Sequence, residues 1–269
     1  MSGRSIRDWV IVTALFTGAV GFWYFRLILP AGSHPAEGDL YKQIYPMAHL
    51  ASQWVRAGYV PLWNPYQFCG QPFLASVLYG IFYPLNFPYL LLPTAVAIEA
   101  VAVLHLFLAG LFTYAYGRVI SLSRAGALVA ATTFAFSGFA ASQAMWFTPA
   151  IEALVWLPVG FIAVEKLCDD TRRRWAGLLA VAVAMPILAG YPQTWTYSMH
   201  AFGAYIVFRL AAMGVTERGW KRPLTVGGLA VAGLTLGISL AAVQLLPSFE
   251  LQTLGPRRPG GLSLAQILV

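Results

Sequence analysis

"PFLASVLYGIFYPLNFPYLLLP", Pro72–Pro93, is long enough to cross a bilayer, and whether it does so fixes the side on which everything after it lies. A spanning helix needs roughly 20 mainly apolar residues. Pro84 and Pro88 stand in the middle of this run, and proline inside a helix removes a donor and breaks the hydrogen-bond ladder. Basic residues decide between the two readings, because Lys and Arg collect on the inner side of a membrane. If 72–93 does not span, the inner side holds ten of them: Arg4, Arg7, Arg118, Arg124, Arg172, Arg173, Arg174, Arg218, Lys221 and Arg222. The outer side then holds Lys42, Arg56, Arg257 and Arg258. A spanning 72–93 moves eight of the ten outside and reverses the bias. The segment therefore reads as re-entrant or interfacial, shielded by protein, as broken backbone at membrane depth must be.

Working outward, the apolar runs predict spans at about 9–29, 95–117, 125–143, 149–167, 176–191, 195–212 and 224–246. Of the 269 residues, 59% are hydrophobic and 10% charged, against roughly 25% charged in soluble domains. That composition excludes a packed soluble core and sets the net charge of +7 to topology rather than to nucleic acid. The fold class is an all-α integral membrane protein, a polytopic helical bundle of about seven spans. The first run is long for a signal sequence and lacks a small-residue cleavage site, so it reads as a retained span with the N-terminus inside. The whole chain, 1–269, reads as a single transmembrane domain with the outer loop 30–93 as its functional insertion. Its last stretch, GPRRPGGLSLAQILV, reads as an outer loop leading into a further apolar segment, so the chain is expected to be an N-terminal portion.

Within that loop a short amphipathic helix is predicted at about Leu40 to Arg56, with Tyr41, Ile44, Tyr45, Ala48 and Val55 sharing an apolar face. GYVPLWNPYQFCGQPF follows, a turn-rich aromatic segment at the interface. Small residues in AGALVAATTFAFSGFAAS imply close helix packing. Cys69 and Cys168 fall on opposite sides and form no structural disulfide.

Carboxylates are few. Asp169, Asp170 and Glu217 sit beside Arg or Lys, and Glu165 precedes Lys166, so they read as solvated or paired surface charges. Glu37, Asp39, Glu152 and Glu250 fall on the outer side, with Glu99 near the outer end of the second span. Ionisable groups near a membrane are functional candidates, although Glu99 and Glu152 each read as snorkelling residues at helix ends. Asp39 follows Gly38 and precedes the short helix, so it reads as an N-cap, a chemical group, or both. His34 and His49 match no zinc spacing. His105 and His200, inside spans, read as interhelical hydrogen-bond partners. No Walker, dinucleotide, GxSxG, CxxC or HExxH motif is present.

The sequence GDLYKQIYP, then GYVPLWNPYQFCGQPF, FYPLN, GYPQT and QLLPSFE, resembles the YfhO family of bacterial multi-pass membrane proteins. The resemblance implies a GT-C-like bundle whose large first outer loop carries an acidic residue. It implies transfer of a sugar from a polyprenyl-phosphate-linked donor to a cell-envelope glycan or lipid acceptor, at the outer face of the bacterial inner membrane. Carried over residue by residue, the catalytic carboxylate is Asp39, while Glu37 fits loosely the second acidic position of many relatives. Substrate-binding candidates are Glu37, Lys42, Tyr45, Trp63, Asn64, Gln193 and Glu250, and the expected partners are membrane lipid, the lipid-linked sugar and its acceptor. No metal ligand is assigned; a divalent cation remains an option for the leaving phosphate, without a DxD-like motif to argue for it. The rival reading is a non-enzymatic transporter or lipid-handling protein, suggested by polar residues near span ends and by GYPQT. A structural membrane subunit is the third.

Overall fold

The computed structural model describes residues 38–254 apart from Arg218, together with positions 12–14, 16–18 and 21. Most of the expected first span, with Glu37, Arg257 and Arg258, lies outside the described residues.

The chain is an all-α membrane protein. A π-helical turn, Leu40–Ile44, runs into α1, Tyr45–Arg56. A two-residue antiparallel pair follows, β1 (Trp63–Asn64) with β2 (Gln71–Pro72). After two 3-10 turns, Val77–Tyr79 and Pro84–Asn86, comes the single-turn α2, Pro88–Leu91. The bundle proper comprises α3 (Thr94–Val119), α4 (Arg124–Ala135), α5 (Gly138–Trp146), α6 (Thr148–Leu154) and α7 (Leu157–Asp169). It continues with α8 (Arg173–Ala189), α9 (Pro192–Thr216), α10 (Lys221–Leu240) and α11 (Ala242–Leu254). By length and composition α3, α9 and α10 can each cross a membrane, and α4 with α5, bent by 41° where they meet, can do so as a pair.

The breaks have local causes. Ser137 accepts a hydrogen bond from the Ala140 N–H at 3.2 Å and starts α5 afresh, as a serine N-cap does. In GYPQT, Gly190 ends α8 with φ +95° and Pro192 opens α9, the usual glycine-stop, proline-start punctuation. Small residues bring helices together as expected. Ala127, Ala131, Ala135 and Ala140 are fully buried, and Cβ atoms built on Gly233 and Gly237 would lie 2.8 and 2.6 Å from the Ala176 and Ala180 carbonyls, so α8 and α10 meet at backbone distance. Ahead of them, Val12 and Phe16 are buried, and Phe16 stacks on Phe136.

Pro72–Pro93 forms no continuous helix. It folds into turns docked on the bundle, with Phe73 and Tyr83 at 0% and 2% exposure. Gln244 of α11 donates to the Leu74 carbonyl at 2.8 Å and Ser248 to the Ala75 carbonyl at 2.9 Å. Asn86 donates to the Gly80 carbonyl at 3.1 Å. The side chains thus replace the ladder that the prolines break.

Two expectations are corrected. Tyr41 and Tyr45 do not share the buried face of α1; they are 60% and 36% exposed, while Leu40, Ile44, Met47, Leu50 and Ala51 are buried. The cause is Pro46, which has no N–H for an i−4 bond to Lys42, so the preceding turn widens, with the Tyr45 N–H bonded to the Leu40 carbonyl. That extra residue rotates the face. His200, expected to bond between helices, instead bonds within α9, its Nδ1 lying 2.8 Å from the Thr196 carbonyl.

Gly190 gives the sharpest packing test. A Cβ there would lie 1.9 Å from the Val77 carbonyl, at a φ disfavoured for L-residues. Gly190→Ala is expected to cost about 2–5 kcal/mol from backbone strain and overlap. Gly203→Ala, with open space around it, is expected to be neutral or slightly stabilising. Thermal unfolding of both variants in detergent, followed by tryptophan emission, checks the contrast.

Candidate functional site

Helix α1 lies across the docked turns of 77–90, and between them is a cavity of about 220 Å³. From the π-helical turn comes Ile44 and from α1 Ala48, Ala51, Ser52 and Val55; from the turns Tyr79, Phe82, Tyr83, Asn86, Phe87 and Tyr89; from α6 Thr148, Pro149 and Glu152. Arg56 fixes α1 in place by donating to the Tyr89 carbonyl at 2.7 Å and to that of Leu92. These carbonyls end the short α2, and a cation there suits the negative end of a helix. His49 adds a second tie, its Nδ1 lying 2.9 Å from the Thr94 hydroxyl.

The back of the cavity is a hydrogen-bonded hub. His105, fully buried on α3, holds the Val101 carbonyl with Nδ1 at 2.7 Å. A carbonyl only accepts, so Nδ1 carries the proton and Nε2 of the neutral ring accepts from the Tyr83 hydroxyl at 2.9 Å. The Tyr83 oxygen accepts in turn from Trp156 Nε1 at 2.9 Å, and the Glu152 carbonyl lies 3.2 Å away. His105 therefore makes the satisfied contact expected of it. Burial, reinforced by the nearby Glu152 carboxylate, pushes the Tyr83 and Tyr89 hydroxyls well above the usual phenol range. Both remain protonated donors at physiological pH.

Glu152 is corrected from a snorkelling residue to a buried one, at 2% exposure. It sits within the seven-residue α6 and lines the cavity under α1 rather than the outer surface. Beside it are Thr148 and Asn86. The Thr148 hydroxyl, also close to Tyr89, satisfies hydrogen-bond geometry with no partner, nor does Asn86 Oδ1. Glu165 is likewise no surface charge: it is 8% exposed, pairs with Arg209 at 2.9 Å and accepts from the Tyr205 hydroxyl.

The sequence candidates divide. Asp39 is exposed and stands where Gly38 backs onto the Trp146 ring, which a Cβ would meet at 3.0 Å. Its backbone is already helical and its side chain makes no capping bond, which corrects the N-cap reading. Lys42 is exposed one turn on, and Tyr45 stacks between Tyr41 and His49. Asn64 is fully buried, accepting from the Tyr66 N–H at 2.9 Å and donating to Met47 Sδ, so both its polar ends are used within the fold. Trp63 is half exposed and lies against Gly70. Gln193 lines a second hollow, of about 510 Å³, accepting from the Tyr191 hydroxyl at 2.6 Å and donating to that of Tyr197 at 3.1 Å. Glu250 is exposed on α11, and Glu37 lies outside the described residues. The structure thus gathers Asp39, Lys42 and Tyr45 at the head of α1 and leaves the others apart. Sequence reading missed Glu152, Thr148 and Asn86 as cavity residues; the available signal was one carboxylate within the apolar run PAIEALVWLPV.

A family model described as bacterial membrane protein YfhO matches residues 11–254. No curated protein and no solved structure matches the chain.

Tyr83→Phe leaves His105 Nε2 and Trp156 Nε1 without their partner in a buried site. The expected loss is about 1–3 kcal/mol, the cost of unsatisfied buried polar groups, read as a lowered thermal midpoint in detergent. An unchanged midpoint would show that the hub does not hold the turns in place.

Proposed function

Since the chain belongs to the YfhO family of bacterial membrane proteins, we propose that it is a GT-C-like glycosyltransferase working at the outer face of the bacterial inner membrane. It takes a sugar from a polyprenyl-phosphate-linked donor and passes it to a cell-envelope acceptor. The observation that carries this reading is the placing of an exposed carboxylate, Asp39, at the head of a helix that roofs a cavity with a polar floor. Orientation is argued from charge. Arg118, Arg124, Arg172, Arg173, Arg174, Lys221 and Arg222 all fall at the ends of α3, α4, α8 and α10 remote from the docked turns, so we read those ends as inner and the turns as outer. The seven-span count, with 9–29 as the first, belongs to the same proposal.

The chemistry is a displacement at the anomeric carbon. Asp39 takes the proton of the acceptor hydroxyl, whose oxygen bonds to that carbon while the bond from carbon to phosphate oxygen breaks. The polyprenyl phosphate departs with the bonding pair. Lys42, one turn from Asp39, offers a positive charge to the departing phosphate. The exposed aromatic and aliphatic side chains of 72–93, Phe87 (51%), Leu90 (43%) and Leu91 (73%), offer an apolar surface for the prenyl chain. Asparagine cannot accept that proton, so a general base is worth about 10²–10⁴-fold here.

A second reading keeps one specific support: the chain breaks between α5 and α6 and again between α6 and α7, on either side of a buried Glu152, and broken helices around polar groups mark transport sites. Asp39→Asn, made in the producing bacterium, separates the two. The expected outcome is surface glycan reduced about 10²–10⁴-fold with normal protein level in the membrane. Unchanged glycan, in that variant and in a double variant that adds Glu37→Gln, sinks the transferase reading. Movement of a lipid-linked sugar across proteoliposomes without a new glycosidic bond favours transport.

A further inference from the structure

Two carboxylates are buried among the described residues, and they are treated differently. Glu165 has Arg209 at 2.9 Å and the Tyr205 hydroxyl. Glu152, more deeply buried, has no ion-pair partner among the described residues; the Thr148 hydroxyl and the Asn86 amide lie beside it, and Asn86 Oδ1 has no partner of good hydrogen-bond geometry. Buried polar groups are normally paired, and those that are not leave a penalty that a partner would remove. Thr148 is fully buried and lines the same cavity as Glu152 and Asn86. Three polar side chains therefore converge on one cavity.

The other walls are apolar. Ile44 of the π-helical turn and Ala48 and Val55 of α1 face Phe82, Phe87 and Leu90 across it. At about 220 Å³ the cavity is smaller than the roughly 300–1,000 Å³ that encloses drug-sized ligands. It fits one ring, not an oligosaccharide or a lipid tail. The ring must bring hydroxyl groups at one edge, to meet the carboxyl, hydroxyl and amide groups, and C–H faces elsewhere, to lie on aromatic and aliphatic walls. A pyranose has those properties.

We infer that the cavity between α1, the turns 77–90 and α6 is the pocket for the sugar ring of the lipid-linked donor, held through its hydroxyls by Glu152, Thr148 and Asn86. This rests on the transferase reading above and adds a location and a selectivity to it. Asp39 lies at the head of the roofing helix, five positions before Ile44, the first residue of α1's side to face the cavity. A ring seated there would direct its anomeric carbon and phosphate toward the same end as Asp39 and Lys42. A site built to bond hydroxyl groups discriminates strongly against ligands that lack them, since its own polar groups are then left unpaired.

The test uses the full chain in lipid nanodiscs. The probes are polyprenyl phosphate bearing tritiated glucose, galactose, mannose or N-acetylglucosamine, with bare polyprenyl phosphate as reference. Wild type should prefer at least one sugar-bearing lipid to the bare lipid by about tenfold or more. Thr148→Val removes the hydroxyl, and Ala48→Phe fills the cavity from the opposite wall. Each should abolish the preference and leave binding of the bare lipid intact. Thr148→Ser, which keeps the hydroxyl, should retain the preference that Thr148→Val loses; a merely structural threonine would show no such dependence on the hydroxyl. Asp39→Asn should retain the preference while losing transfer. If both cavity variants keep the preference while Asp39→Asn still loses transfer, the pocket assignment is overturned and the transferase reading survives. If wild type neither prefers nor transfers any of the four sugars, the transferase reading falls and this inference with it.

Discussion

The hydroxyl of Tyr83 is the point on which the arrangement turns. A stretch of 22 residues that lacks a continuous helix must still satisfy its polar groups at the depth of a membrane. Tyr83 answers that constraint by joining three separate pieces of chain: it donates to His105 on α3, accepts from Trp156 between α6 and α7, and lies against the Glu152 carbonyl. Gln244 and Ser248 of α11 and Arg56 of α1 do the same for carbonyls at either end of the stretch. Without these bonds the prolines would leave a loop with nowhere to go. With them the loop becomes a wall, and a wall with α1 laid over it makes a cavity.

Charge is distributed to suit. Nearly all basic residues of the described chain sit at one end of the bundle, where Arg222 pairs with Glu217 at 2.7 Å and holds the Cys168 carbonyl, and where Asp170 meets Arg172. Exposed pairs of this kind add little stability; their weight is in orienting the chain. Between Arg56 and Glu99 no charged residue occurs at all, so the docked turns and the exposed aromatics Trp63, Tyr66 and Phe68 form a neutral surface suited to the membrane interface. Glu152 is the exception, a carboxylate enclosed by that neutral region. Its isolation from cations separates it from Glu165, which serves as a strut between α7 and α9.

Much of the fold could be read from residue order. Gly190 and Pro192 delimit helices whatever surrounds them, and the alanine-rich run of α4 and α5 requires close neighbours. The N-terminal loop helix was likewise legible in extent. Its face was not, because the π-helical turn ahead of Pro46 adds a residue and rotates every side chain relative to a uniform helix. The family was legible too, from PLWNP and the motifs around it. The site was legible only at its rim: Asp39 and Lys42 stand where a loop between apolar runs must expose them.

The sequence by itself determined that this is a helical membrane protein and that 72–93 is not one of its helices, because hydropathy, proline and the side on which Lys and Arg lie are properties of residues and their order. What only the tertiary structure decided is where each rare polar group faces. In sequence Glu152 reads as a residue near a helix end and Glu165 as a surface charge beside Lys166, and nothing in either stretch says that both are buried. One finds Arg209 across a helix pair, and the other faces a cavity whose opposite wall is more than 60 residues distant in the chain. That difference is set by which helices pack together, and packing depends on the shape of all the side chains at once rather than on any local pattern.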